Sequence, residues 1–210
     1  MKKPLLFALL YLISFNVKSQ YTQSLYDSTF TVLSSMVEGE QPTDFKKAVF
    51  LVENCFLDGR MDYREFCGVI DRYKQLAELL MYSRELLYTD SDKYSISVNA
   101  AVFTVMKDTI PIELGEGKKG RTVPFGYDFE DISGDKNWTS MFVTKLLIAH
   151  RGNCHSLPYL YKILCEEFGT KAYLAYAPNH IYIKQHSKAF GWYNTELTSG
   201  MFPIDAWLMA

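Results

Sequence analysis

The sequence predicts an α+β fold, with a helical N-terminal part followed by a core of helices and a small antiparallel sheet. Three observations carry this. Amphipathic runs at helical spacing occupy much of residues 22–108, and an apolar run at the same spacing crosses residues 154–168. Two strand-like runs, His180–Lys184 and Trp192–Leu197, flank a turn-like segment at His186–Phe190. The 210 residues are 48% apolar and 15% aromatic, enough for one substantial core or two small ones and too much for a disordered chain.

The elements follow in order. Met1-Lys2-Lys3, an apolar stretch from Leu5 to Val17 and the small-residue site at Val17-Lys18-Ser19 fit a secretory signal, with the mature chain starting at Gln20. The stretch is shorter than the roughly 20 residues that span a bilayer, so no stable membrane insertion is expected after cleavage. Removing Lys2, Lys3 and Lys18 leaves 19 basic side chains against 24 acidic ones, a net charge of −5. Nucleic acid is a poor partner for such a surface.

Residues 20–108 form the helical region, with amphipathic runs at Asp44–Phe56, Tyr63–Tyr88 and Lys93–Met106. Within it, Asn54 to Glu65 imitates a calcium loop, but its third position is Phe56, which offers no oxygen ligand. Residues 109–137 read as a surface linker. Its Gly115–Arg121 stretch is flexible and basic without the ending of a phosphate loop and reads as linker and rim of the cleft, while Tyr127–Asp135 is acidic with an interleaved aromatic.

The core spans 138–210, with helices at 139–149 and 154–168 and the sheet over 171–197. In the second helix Leu157, Leu160, Tyr161, Leu164 and Phe168 mark the apolar face, and Gly169 ends it. Either Asn153 or Ser156 caps its start, and Pro158 favours Ser156. Both choices put Cys154 at the helix N-terminus, where the dipole and unpaired N–H groups favour a thiolate and suit an oxyanion. The apolar run from Met201 to Ala210 reads as the opening of another helix, and so as a core cut short at its C-terminus.

If the hairpin closes symmetrically about Lys188, His180 lies opposite Glu196, Tyr182 opposite Asn194 and Lys184 opposite Trp192. Directly opposed residues on one face have Cβ atoms roughly 4.5–5.5 Å apart, so Glu196 would accept a hydrogen bond from His180. Cys154, His180 and Glu196 then have the roles of nucleophile, base and orienting acid. Taken singly, a buried Cys near an apolar helix and a His at a strand end have ordinary structural explanations. The ordered triple with matching face parity is less well explained that way.

The segments Arg151-Gly-Asn-Cys-His-Ser-Leu-Pro158, Pro178-Asn-His180 and Gly191-Trp-Tyr-Asn-Thr-Glu-Leu-Thr-Ser-Gly200 carry a resemblance to the transglutaminase-like superfamily of papain-like cysteine folds, in an exported bacterial branch. It covers about residues 125–205, a length ordinary for a small domain core. It implies a papain-like core with Cys154 as nucleophile, His180 as base and Glu196 as the acidic member, where Asp is more usual. It leaves the side-chain oxyanion donor open among Trp138, Asn137 and Asn153.

The function expected is that of an exported thiol enzyme, periplasmic or secreted. It would act on a peptide or protein substrate through an acyl-enzyme, with hydrolysis favoured over transamidation and no cofactor required. The alternative is an inactive domain that binds a protein or peptide, using Tyr159, Tyr173, Tyr182 and Trp192. A zinc site drawn from His150, Cys154, His155 and His180 is a rival, weakened by the absence of a Cys-x-x-Cys pair. Export makes a Cys55–Cys67 disulfide conceivable. Cys165 lies roughly 16 Å along the helix from Cys154, too far to bridge to it.

Overall fold

The computed structural model describes residues 22–209 other than 114 and 116, so the signal segment at 1–19 lies outside the described residues. The fold is α+β: seven helices and small sheets among the described residues. The chain divides into two compact units between Phe66 and Cys67.

The first unit is helical. Helix α1 covers residues 22–37, and α2, Phe45–Phe56, starts where the carboxylate of Asp44 accepts from the N–H of Lys47 at 2.9 Å. An Asp in extended backbone just before an apolar run supplies the acceptor that the first turn lacks. Phe50 packs against Tyr63 and Phe66, with ring centroids 4.8 and 5.6 Å away. All four cysteines are free thiols, so the Cys55–Cys67 disulfide is not made. Buried Cys55 instead donates to the Thr29 hydroxyl at 3.0 Å. At the calcium-like segment, the side-chain oxygen of Asn54 accepts from the N–H of Met61 and closes a turn.

Helix α3, Tyr63–Ser83, contains the unit boundary, and its expected extension to Tyr88 is not helical. In the second unit α4, Lys93–Lys107, buries Val98, Val102, Val105 and Met106. Residues 109–137 are more structured than a linker. Strands β1, Pro111–Glu113, and β2, Lys119–Arg121, pair antiparallel around the glycine-rich turn. Strand β3, Gly126–Tyr127, pairs in parallel with β4, Arg151–Gly152. That pairing joins residues 25 apart in sequence, which no local signal reveals.

The helix expected at 139–149 is broken. A 3-10 turn, Trp138–Met141, precedes α5, Val143–Ala149, and Phe142 between them is extended (φ −90°, ψ 137°) and buried. Helix α6, Ser156–Glu167, is the central element and packs against α4, α5 and the sheet. Leu157, Leu160, Tyr161, Ile163, Leu164 and Cys165 are all buried to within 1%. Each such apolar side chain contributes about 1.5–3 kcal/mol by leaving water. Gly169, at φ +70°, ends the helix, and the N–H of Thr170 turns back to the Cys165 carbonyl.

Strands β5, Tyr173–Ala177, β6, His180–Ser187, and β7, Gly191–Thr195, form the antiparallel sheet in sequence order. The register of β6 with β7 corrects the expected one: Lys184 faces Asn194 and His186 faces Trp192. The three-residue loop is therefore Lys188–Phe190, one step further along than symmetry about Lys188 requires. Its placement is set by contacts remote in sequence. The N–H groups of Lys188 and Ala189 donate to Asp92 and to the Tyr88 hydroxyl, and Gly191 takes φ +73° just after the loop. Displacing both strands together changes the pairing by two residues, so every side chain keeps its face. The C-terminal run read as the start of a helix contains the short helix α7, Asp205–Leu208.

Candidate functional site

Cys154 is placed by a reciprocal cap. The side-chain oxygen of Asn153 accepts from the N–H groups of His155 (3.0 Å) and Ser156 (3.4 Å). The Ser156 hydroxyl accepts in turn from the N–H of Asn153 (3.1 Å) and donates to the Ser140 carbonyl. This is the capping-box exchange, with Asn153 as the cap and Ser156 replying. The preference for Ser156 as cap is thus corrected. Pro158 lacks an N–H and denies the Cys154 carbonyl its helical donor, which is why regular helix starts only at Ser156 although Leu157 already bonds to Asn153.

The bonds formed by Asn153 leave the N–H of Cys154 as the remaining first-turn donor, beside its own sulfur. Cys154 is 9% exposed, at the wall of a cleft of about 650 Å³. Gly152 admits no side chain, since a Cβ there would lie 2.2 Å from the Ser156 oxygen and 2.9 Å from Leu146.

His180 is placed by the turn before it. Asn179, in left-handed backbone at φ 56°, closes a tight link after Pro178, and Ala177 pairs with His180. His180 lines the same cleft as Cys154, and its Nε2 is hydrogen-bonded to a carboxylate oxygen of Glu196. With Nε2 engaged, Nδ1 is the ring nitrogen left for the sulfur. The interaction with the neighbouring Cys154 sulfur, then the bond to Glu196, stabilises the charged ring and outweighs its desolvation, raising the His180 pKa to about 9.

Glu196 is 2% exposed. Continuing the β6–β7 ladder one step would put it across from Tyr182, diagonal to His180. Diagonal neighbours stand roughly 7–8 Å apart, a gap that the extra methylene of Glu helps to close. Its other oxygen accepts from both the N–H and the hydroxyl of Thr198, each at 2.7 Å. Burial opposes its charge, but the bonds from His180 and Thr198 win, and its pKa lies below the ordinary carboxylate value. A tight loop closed by Glu196 and Met201 carries it, and Lys107 braces that loop by donating to the Leu197 and Phe125 carbonyls at 2.9 Å each.

The oxyanion candidates sort differently. The Asn137 oxygen accepts from Thr139, Trp138 is 56% exposed and is not part of the cleft wall, and Asn153 is committed to the cap and to the Ile132 carbonyl. Tyr127, missed in the sequence, does line the cleft. The β3–β4 pairing sets it level with Gly152, two residues before Cys154. Burial, and then the nearby Cys154 and Glu196, raise its pKa.

The zinc ligands do not assemble: His150 bonds to the Val123 carbonyl and stacks on Phe125, while His155 sits edge-on to Tyr159. Among the described residues, no group of three or more His, Cys, Asp or Glu converges on a metal position. Cys165 is fully buried, and burial pushes its thiol up to about 12, which makes it inert. No family model matches this chain, and no curated protein or solved structure does either.

Proposed function

We propose that the protein is a thiol acyl-transfer enzyme of transglutaminase-like type, acting on peptide or amide bonds through Cys154, His180 and Glu196. The single observation that carries this is the pairing of the His180 ring with the buried Glu196 carboxylate at the wall of an open cleft that Cys154 also lines. A helix with the Cys just before its first turn, packed on an antiparallel sheet bearing the His, agrees with a papain-like core. Export rests on the sequence of residues 1–19 and belongs to the same proposal.

The chemistry proceeds in two halves. With its proton on His180, the Cys154 sulfur attacks the carbonyl carbon, an S–C bond forms and the carbonyl electron pair moves to oxygen. The Cys154 N–H and the Tyr127 hydroxyl are the donors for that oxyanion. The carbonyl re-forms as the C–N bond breaks, and His180 gives its proton to the leaving nitrogen. Water then attacks the thioester as His180 takes one of its protons, and cleavage of the C–S bond restores the sulfur. Hydrolysis is favoured because an open cleft admits water freely.

The test is mass spectrometry of the protein after iodoacetamide, followed by incubation with a library of quenched fluorescent peptides. Alkylation confined to Cys154 at neutral pH, and turnover lost in Cys154→Ala, are expected. A Cys154 no more reactive than the other thiols would refute the enzyme. An inactive peptide-binding domain is the second reading, favoured by Tyr173 and Trp192, two exposed rings packed edge to face at 5.7 Å.

A further inference from the structure

Among the described residues, no Asp, Glu, Lys or Arg lines the cleft that holds Cys154. Its two histidines offer a substrate no free charge either. Burial lowers the His155 pKa below the ordinary value, which leaves that ring neutral at neutral pH, and the His180 ring is paired with Glu196. Carboxylates of the adjoining loop turn back on their own chain. Asp128 accepts from the N–H of Glu130, and Asp131 accepts from the N–H groups of Lys136 and Asn137 and from the Ser140 hydroxyl.

What remains for a substrate to touch is large and apolar. Ile132 is 52% exposed and Tyr176 is 68% exposed, although both line a concavity. Met141 is half-buried against Gly134, where a Cβ would stand 3.0 Å from its methyl carbon. The wall is also fixed in place. The bonds to Asp131 close the loop that carries Ile132, and the side-chain amide of Asn153, the residue that caps α6, donates to the Ile132 carbonyl at 3.3 Å. Wall and nucleophile therefore share one hydrogen-bonded frame. A preformed lining of apolar and aromatic side chains with few polar groups is the usual make-up of a ligand site.

We propose that the cleft selects substrates with an uncharged, bulky apolar side chain beside the reacting carbonyl, and that Ile132, Met141 and Tyr176 impose the choice. This rests on the acyl-transfer reading of Cys154. A charged side chain in the same place would give up hydration with no opposite charge to meet it. On the apolar side, a single methylene in such a pocket changes specificity by roughly tenfold to two-hundredfold.

The test applies acetyl-leucyl, acetyl-glutamyl and acetyl-lysyl chloromethyl ketones to the full chain at neutral pH. The three share one reactive group, whose chloride the Cys154 sulfur displaces, and differ in the side chain beside it. Each rate of Cys154 modification, read by mass spectrometry, is divided by the iodoacetamide rate of the same protein. The leucyl reagent is expected to react at least about tenfold faster than either charged one. Ile132→Asp, at an exposed position, is expected to slow the leucyl reagent and to bring the lysyl one above it. Met141→Ala is expected to narrow the leucyl advantage. A glutamyl or lysyl rate equal to or above the leucyl rate in the wild type, or an unchanged order in Ile132→Asp, would overturn the specificity and leave the acyl-transfer reading standing if iodoacetamide reacts fast. A Cys154 slow toward iodoacetamide itself would overturn both.

Discussion

At Glu196, one methylene matters because the register leaves it diagonal to His180. Glu196→Asp keeps the charge and shortens the reach, so kcat/KM for the proposed reaction is expected to fall by about tenfold to a hundredfold, with the protein still folded by circular dichroism. Glu196→Gln removes the charge that helps to raise His180 to about 9. The alkaline limb of the pH profile, where the protonated ring is lost, is therefore expected to move to lower pH. A limb that stays in place would show that Cys154 alone sets the His180 proton affinity. The triad residues were legible in the sequence because spacing and parity are local properties. Tyr127 was not, because only the parallel β3–β4 pairing brings it beside Cys154. Tyr127→Phe is expected to lower kcat with KM little changed, the mark of an interaction made mainly in the transition state.

The cap of α6 and the β6–β7 hairpin position the site at the level of elements. Gly152→Ala sets a methyl against the Ser156 oxygen that holds the Asn153 N–H, and the neighbouring Leu146 blocks escape on one side. Overpacking of this kind costs about 1–3 kcal/mol, and chemical denaturation is expected to show that loss together with reduced Cys154 alkylation. Stability equal to wild type would mean that the cap relaxes freely. The stop of α6 was readable from Gly169, but its start at Ser156 rather than Cys154 and the division of labour between Asn153 and Ser156 were not, since the cap depends on the Ser140 carbonyl, 16 residues away. The hairpin register likewise depends on Asp92 and Tyr88, 96 and 101 residues from their partners.

For the molecule as a whole, α6 holds the second unit together, and Leu160→Ala is expected to cost about 2–5 kcal/mol in denaturant unfolding. The triad also links stability to pH. The His180 pKa is raised from 6.5 to about 9, so its contribution is full below about 6.5 and is lost as pH rises through 9. Glu196 is lowered from 4.5, so its contribution is present above that value and is lost as pH falls through the folded-state pKa. The Tm difference between wild type and the His180→Ala, Glu196→Gln double variant is therefore expected to be greatest between about pH 4.5 and 6.5, and to shrink on either side. A difference independent of pH would mean that the pair contributes only by packing.

By itself the sequence determined the α+β class, most helix positions, the end of α6 at Gly169 and the faces of His180 and Glu196. All of these follow from periodicity and turn chemistry within a few residues. Tertiary structure alone decided the strand register, the β3–β4 pairing and the break at Phe142. Each depends on which distant groups remain to be paired once the helices have packed, a sum that extends over the whole unit and that no local window contains.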